Sequence, residues 1–175
     1  MLTSNIDFKN FFLKKKNKKV KILLKKLLNE DNKILSSLKT SYKDSYTKTK
    51  ISRFKKFSEF ILIGMGGSIL GSRSIFSFLK NKINKKFHFK DNFSPLSHYK
   101  KNNKKQLNVI ISKSGNTLET ISNSNIYIKN GKKNIFVTEN KNSYLISLAK
   151  KLKSEIIHHN NFIGGRYSVL SEVGM

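Results

Sequence analysis

The glycine-rich stretch Gly64-Met65-Gly66-Gly67-Ser68-Ile69-Leu70-Gly71 directly follows an apolar run, Glu59 to Ile63. A turn of this kind, leading from a short buried strand into a helix, is typical of α/β folds. Four further short runs rich in Ile, Val and Phe follow it: Phe87 to Phe89, Leu107 to Ile111, Asn134 to Val137 and Glu155 to Ile157. Between the runs lie amphipathic stretches at about 68–80, 117–129 and 143–152. This alternation predicts a parallel sheet covered by helices on both faces.

The first part of the chain, residues 1 to about 50, has a helical pattern without catalytic spacing. Its apolar residues recur at helical intervals between lysines and predict a core-facing stripe: Val20, Leu23, Leu24, Leu27 and Leu28. At the other end, Tyr167 to Met175 has the pattern of a new element that begins and is not completed. We therefore expect a truncated chain.

The composition excludes several classes of protein. The chain has 175 residues, 37% of them hydrophobic, so it is long and apolar enough for one domain with a core. It has no cysteine, which excludes disulfides, thiolate nucleophiles and cysteine-ligated metals. It has neither a secretory leader nor an apolar run of about 18 residues, so we expect a cytoplasmic protein without a membrane partner.

The net charge of +26 suggests a nucleic-acid partner, but its distribution favours a solvated surface. Nearly all of the cations are lysines, and arginine occurs only at Arg53, Arg73 and Arg166. Arginine is the residue that phosphate and base recognition prefers. The lysines are also spread along the whole chain. We expect no nucleic-acid partner, and the cluster Lys14–Lys19 is the best candidate for the opposite view.

Hydroxyl groups crowd the second loop, Ser112-Lys113-Ser114-Gly115-Asn116-Thr117-Leu118-Glu119-Thr120, after the run Leu107 to Ile111. One serine or threonine is enough to cap the predicted helix. Capping therefore leaves Ser112, Ser114 and Thr117 without a structural role. Several hydroxyls beside free N–H groups at a helix N-terminus suit a phosphate monoester, so we predict a phosphate site in this loop.

The first and third loops carry weaker evidence. The glycine-rich turn of the first loop brings N–H groups close to an anion, with the Ser68 hydroxyl beside them, although a tight turn alone explains it equally well. The third loop, Gly164-Gly165-Arg166-Tyr167-Ser168, places a rare arginine beside two glycines. Arg166 is either presented to a ligand or solvated on a surface turn.

Together and in this order, the three loops resemble those of the glucose-6-phosphate isomerase (phosphoglucose isomerase) family, over about residues 58–175. The resemblance implies a sugar isomerase (SIS) domain over 51–167, a flavodoxin-like αβα sandwich with a five-stranded parallel sheet. An N-terminal helical segment, 1–50, would precede it, and 168–175 would begin a missing C-terminal portion.

The resemblance also implies the site residues and the reaction. The phosphate would be held by Ser68, Ser112, Lys113, Ser114, Gly115 and Thr117, with Lys113 and Gly115 acting through their backbone N–H groups. Gly67 and Gly165 would contact the sugar, and Arg166 and Glu119 would be catalytic. The family interconverts glucose 6-phosphate and fructose 6-phosphate through a cis-enediol, as a homodimer and without a metal or organic cofactor.

The sequence departs from the family pattern at two positions, and important residues are missing. Asn116 stands where a threonine is usual, and Glu172 stands where the residue is typically small. The family's proton-shuttling glutamate and ring-opening histidine lie downstream of the third loop, so we expect this chain alone to be inactive. His88, His98, His158 and His159 do not match that histidine; for the last two we expect structural or solvated roles. A non-catalytic regulator that binds sugar phosphates remains the alternative.

Overall fold

Five parallel strands form the centre of the structure, a computed structural model that describes residues 17–37, 39, 41–93, 105–128 and 133–173. The strands are β1 Glu59–Ile63, β2 Lys86–Lys90, β3 Gln106–Ile111, β4 Lys133–Glu139 and β5 Glu155–His159. Their order in the sheet is β2-β1-β3-β4-β5, and every neighbouring pair is parallel. This is the order of a flavodoxin-like sheet, so the predicted fold class is confirmed.

The crossover helices also lie where the sequence predicts them. The helices are α1 Lys18–Asn29, α2 Lys33–Ser36, α3 Lys48–Ser52, α4 Gly67–Leu79, α5 Leu118–Tyr127 and α6 Tyr144–Lys151. Short 3-10 helices cover Lys80–Lys82 and Gly165–Leu170. Residue 129, the last of the predicted 117–129 helix, lies outside the described residues.

The sheet buries apolar side chains on both faces, as a parallel sheet between two helical layers does. On one face, α5 and α6 cover Ile61, Ile63, Ile110 and Phe136 of the three central strands. On the other face, Leu107, Ile111, Ile135, Val137 and Ile157 pack with Phe57 and Val173. Residues 46–54 and α4 border a half-open apolar cavity of about 340 Å³ on this second face.

The predicted role of α1 is wrong. The helix forms, and the Asn17 side chain caps it by accepting a hydrogen bond from the backbone N–H of Val20. No residue of α1 is buried, however, and the five residues of its apolar stripe are 42–58% exposed. Amphipathic spacing specifies the helix and its apolar side, but it does not specify which surface covers that side. Lys14, Lys15 and Lys16 of the basic cluster, and His98, lie outside the described residues.

Candidate functional site

The sheet order creates a crevice at the carboxyl ends of β1 and β3. These two strands are neighbours in parallel register, with Ile63 opposite Ile110. The chain leaves β1 towards β2 on one side and leaves β3 towards β4 on the other. Connections that diverge in this way leave a gap where ligands of open α/β sheets bind. The first loop starts at this gap after β1, and the second starts there after β3.

Gly64 allows the first two loops to approach each other. A Cβ on this residue would lie 2.9 Å from the carbonyl oxygen of Ile111 and 3.4 Å from the Cβ of Ser68. Ile111 is the last residue of β3, immediately before Ser112. The absence of a side chain at Gly64 therefore brings Ser68, half-buried at the start of α4, beside the beginning of the hydroxyl-rich loop.

The first and third loops are in backbone contact. A Cβ on Gly67 would lie 2.1 Å from the carbonyl oxygen of Gly165, and one on Gly71 would lie 2.5 Å from Cγ2 of Val169. Ser168 stabilises this contact between the two loops. Its hydroxyl lies 2.7 Å from the carbonyl oxygen of Gly165 and 3.3 Å from that of Gly67. The structure thus brings Gly67 and Gly165, both predicted substrate contacts, directly together.

The three hydroxyls of the second loop have structural partners, so the prediction that capping leaves them without a structural role is wrong. Ser112 is buried and shares a hydrogen bond of 3.0 Å with Thr117. Ser114 lies 3.5 Å from the same Thr117 hydroxyl and accepts a bond from the N–H of Asn116. These contacts hold the loop in a single shape, and local side-chain bonds of this kind are common in turns.

The same network leaves donor capacity for a ligand. Each hydroxyl has one proton to donate, and the Ser112–Thr117 and Ser114–Thr117 contacts use at most two of the three protons. Thr117 occupies the N-cap position of α5, but its side chain makes no capping bond. The Thr117 side chain therefore does not occupy the first N–H groups of α5. Hydroxyl groups therefore lie beside the N-terminus of α5, where an anion is favoured.

Gly115 has a structural task that the sequence did not indicate. Its φ of +67° is in the left-handed region, and a Cβ there would lie 2.2 Å from the hydroxyl oxygen of Ser143, the N-cap of α6. Its N–H donates to the carbonyl and hydroxyl oxygens of Ser112. A phosphate would therefore compete with these bonds for the Gly115 N–H, and the predicted contact stays a prediction.

Lys113 connects the second loop to the segment before the third. Its ammonium group lies 3.2 Å from Oε1 of Glu139 and donates to the carbonyl oxygen of Asn161 at 2.9 Å. Burial alone would raise the pKa of Glu139, but hydrogen bonds from Lys141 and Lys113 outweigh it, and the pKa is lowered. The side chain of Lys113 is thus held by protein groups, which leaves its backbone N–H as the predicted phosphate contact.

Of the two predicted catalytic residues, the structure describes the side chain of Glu119 and only the backbone of Arg166. The backbone of Arg166 lies in the 3-10 helix Gly165–Leu170, directly after the Gly67 crossing, while its side chain lies outside the described part of the structure. Glu119 is half-buried in the first turn of α5. Their catalytic roles stay predictions.

The sequence argument missed a buried ionisable pair behind the third loop. His159, at the end of β5, lies with Nδ1 3.3 Å from Oε2 of Glu172, and neither side chain is more than 2% exposed. His158 is exposed, and His88 lies 2.9 Å from Oε1 of Glu59 on a neighbouring strand. In the sequence Glu172 stands out only as a departure from the family pattern, and nothing in the local sequence indicates its partner.

The described residues contain neither a membrane-spanning helix nor a cluster of metal ligands. None of their helices is both long and apolar enough to cross a membrane. In those same parts of the chain, no group of three or more His, Asp or Glu side chains could hold a metal ion.

Known proteins resemble this chain in both sequence and structure. A relative from Treponema denticola, described as glucose-6-phosphate isomerase, is 36% identical over 140 residues, which are 73% of this chain and 26% of the relative. A hypothetical protein from Thermus thermophilus has a similar structure, with a TM-score of 0.71 at 25% identity over 89% of this chain and 41% of that one. Tagatose-6-phosphate ketose/aldose isomerase from Escherichia coli shares the fold, with a TM-score of 0.52 at 15% identity over 70% of this chain and 38% of that one.

This chain spans about a quarter of the length of the Treponema relative. The family model described as phosphoglucose isomerase matches residues 11–175. Since that match covers nearly the whole sequence, the chain belongs to the phosphoglucose isomerase family.

Proposed function

We propose that this chain supplies the phosphate-binding part of a glucose-6-phosphate isomerase site. Ser68, Ser112, Ser114 and Thr117, with the N–H groups of Lys113 and Gly115, bind the phosphate of glucose 6-phosphate or fructose 6-phosphate. The observation that carries this proposal is the spare hydroxyl donor beside the N-terminus of α5, in the crevice between β1 and β3. A dianionic ester at that position receives both hydrogen bonds and the favourable end of the helix dipole.

The third loop faces the sugar in this proposal. Gly67 and Gly165 are in contact, so a sugar whose phosphate lies in the second loop extends along their backbones. Arg166 stabilises the negative charge of the enediol oxygens, and Glu119 assists ring opening. Proton transfer between C1 and C2 requires a carboxylate base and neither metal nor organic cofactor.

The full activity belongs to a longer protein in this proposal. The chain spans about a quarter of its Treponema relative, so we infer that the base and the ring-opening histidine lie in the remainder. The complete enzyme would act in glycolysis and gluconeogenesis in the cytoplasm as a homodimer, without nucleic-acid or membrane partners. We also propose 1–50 as a helical segment, 51–167 as the sugar isomerase domain and 168–175 as the start of the next part, since the five strands that the structure describes lie within 51–167.

Calorimetric titration of the 175-residue chain with glucose 6-phosphate tests the binding. Glucose without phosphate should not bind, and inorganic phosphate should compete. Ser114→Ala should weaken binding about tenfold to a hundredfold, the worth of one hydrogen bond to a charged group. Ser77→Ala, at an exposed position on α4, is the matched control and should leave the affinity unchanged. Equal affinities for glucose and glucose 6-phosphate would overturn the proposal.

A coupled isomerase assay tests the inactivity of the chain alone. We expect binding without turnover, and measurable turnover would show that the inactivity argument is wrong. Binding without turnover is also what the alternative, a non-catalytic regulator, predicts. Continuing the reading frame past Met175 separates the two, because an enzyme requires a downstream glutamate and histidine.

A further inference from the structure

A single buried imidazole contacts the residue just before the third loop and a residue just after the 3-10 helix Gly165–Leu170. His159 Nε2 lies 3.0 Å from the carbonyl oxygen of Ile163, the residue directly before Gly164. Its Nδ1 lies 3.3 Å from Oε2 of Glu172, which follows the 3-10 helix that carries Gly165 and Arg166. The side chain of His159 is 0% exposed and that of Glu172 is 2% exposed. One imidazole ring therefore contacts the chain on both sides of the segment 164–171.

The partners of the ring define where its protons lie. A carbonyl oxygen only accepts, so Nε2 must carry a hydrogen and donate it to Ile163. Nδ1 faces a carboxyl group, which either accepts a second ring hydrogen or donates its own. The other carboxyl oxygen of Glu172, Oε1, accepts bonds from the Tyr42 hydroxyl at 3.1 Å and the Ser45 N–H at 3.2 Å. Two donors on that oxygen favour an ionised carboxylate and hence hydrogens on both ring nitrogens.

The charges around the pair agree with that assignment. Burial would raise the pKa of Glu172, but hydrogen bonds from His159, its own backbone, Ser45 and Tyr42 outweigh it, and the pKa is lowered. Burial and the negative charge of Glu172 raise the pKa of Tyr42 to about 12. The same two causes raise the pKa of Asp44, and burial with the charges of Asp44 and Glu172 raises that of Tyr46.

We propose that His159 and Glu172 are positioning residues for the sugar-facing third loop, which they hold against Gly67. This inference rests on the proposed function, because the loop matters only if it faces a substrate. Gly165 packs on the backbone of Gly67, and a glycine-rich segment makes few side-chain contacts of its own to keep it there. Contacts on both flanks, from a ring that is 0% exposed, supply that restraint. Through Tyr42 and Ser45 the same carboxylate also fastens the segment before α3 to the loop.

Amide hydrogen exchange in the 175-residue chain tests the restraint without a ligand. The Tyr167 N–H donates to Gly164 and the Ser171 N–H to Ser168, so both report on the loop. Glu172→Ala should speed their exchange at least about tenfold, since a buried bond to a charged group is lost. The Leu145 N–H, bonded to Gly115 in the second loop, is the internal control and should not change.

Glu172→Gln separates the hydrogen bonds from the charge. Glutamine keeps an oxygen that accepts from Tyr42 and Ser45, and its N–H can donate to Nδ1 of a neutral His159 ring. Amide exchange at Tyr167 and Ser171 should therefore stay near that of the unmodified chain. If Glu172→Ala does not fold, His159→Gln is the second variant, because it retains a donor for Ile163 and loses the link to Glu172. Unchanged exchange at Tyr167 and Ser171 in folded Glu172→Ala or folded His159→Gln would overturn the inference. So would a nitrogen NMR spectrum of His159 showing a single ring N–H in the unmodified chain.

Titrations with two ligands test the link to substrate. Glu172→Ala should weaken binding of glucose 6-phosphate at least about tenfold, whereas inorganic phosphate, held by the second loop, should bind within about twofold of the unmodified chain. Equal loss for both ligands, or no loss for either, would overturn the positioning role. If the unmodified chain binds neither ligand, the proposed function fails, and the exchange experiment still decides whether the pair restrains the loop.

Discussion

Gly67→Ala tests whether the close crossing of the first and third loops is necessary. Gly67 is the first residue of α4 and does not have a positive φ, so alanine suits its backbone and would favour the helix slightly. The added Cβ, however, would lie 2.1 Å from the carbonyl oxygen of Gly165 and 2.3 Å from its carbonyl carbon, where ordinary contact begins at 3.4 Å. The two backbones must therefore separate by about 1.3 Å, since neither atom belongs to a flexible side chain.

The expected cost is about 1–3 kcal/mol, the usual penalty for forcing extra volume into a packed position. Gly164→Ala is the matched control from the same loop, because its φ is −73° and a Cβ would meet nothing within 4 Å. That variant should be neutral or slightly stabilising. Urea unfolding of both variants beside the unmodified chain measures the difference. Equal stability of Gly67→Ala and Gly164→Ala would show that the loops are not in contact, and the geometric argument would fail.

Two further predictions concern the second loop and the buried pair. Gly115→Ala should cost at least about 1–2 kcal/mol in urea unfolding, because its φ is +67° and the new Cβ would collide with Ser143; a smaller loss would contradict the left-handed turn. Because the folded pKa of Glu172 lies below its ordinary value of 4.5, its stabilisation is complete above that pH and is lost as the pH falls through the folded pKa. The stability difference between the unmodified chain and Glu172→Ala should therefore fall below pH 4.5, and a pH-independent difference would contradict the ionised carboxylate.

The sheet could be predicted because its strands carry their own signal. Short runs of Ile, Val and Phe buried on both faces have few alternatives, and each observed strand contains the run that predicted it. The convergence of the loops also followed from topology, since parallel strands send their carboxyl ends to one edge. The strand pattern and the parallel topology together therefore predict the edge of the sheet at which the candidate site lies.

Contacts between residues of different elements could not be predicted in the same way. The stripe of α1 indicates an apolar side but contains no information about its partner, and the helix lies exposed. The pairing of His159 with Glu172 depends on the path of the backbone through residues 160–171. The residue that leaves no room for a Cβ at Gly115 is Ser143, which belongs to another element. Each is fixed by tertiary geometry, for which single-sequence periodicity has no signal.

The glycines and the hydroxyls of the site perform separate tasks, which the sequence alone did not distinguish. The sequence of the first loop fits an anion cradle and a tight turn equally well, and in the structure Gly64, Gly67 and Gly71 each stand where a neighbouring residue leaves no room for a Cβ. Their effect is to bring three loops together at one edge of the sheet. The donors for an anion come mainly from elsewhere, from the hydroxyls of Ser112, Ser114 and Thr117 and the start of α5. A substitution at these glycines should therefore act by separating the loops, whereas one at a hydroxyl should act on the phosphate itself.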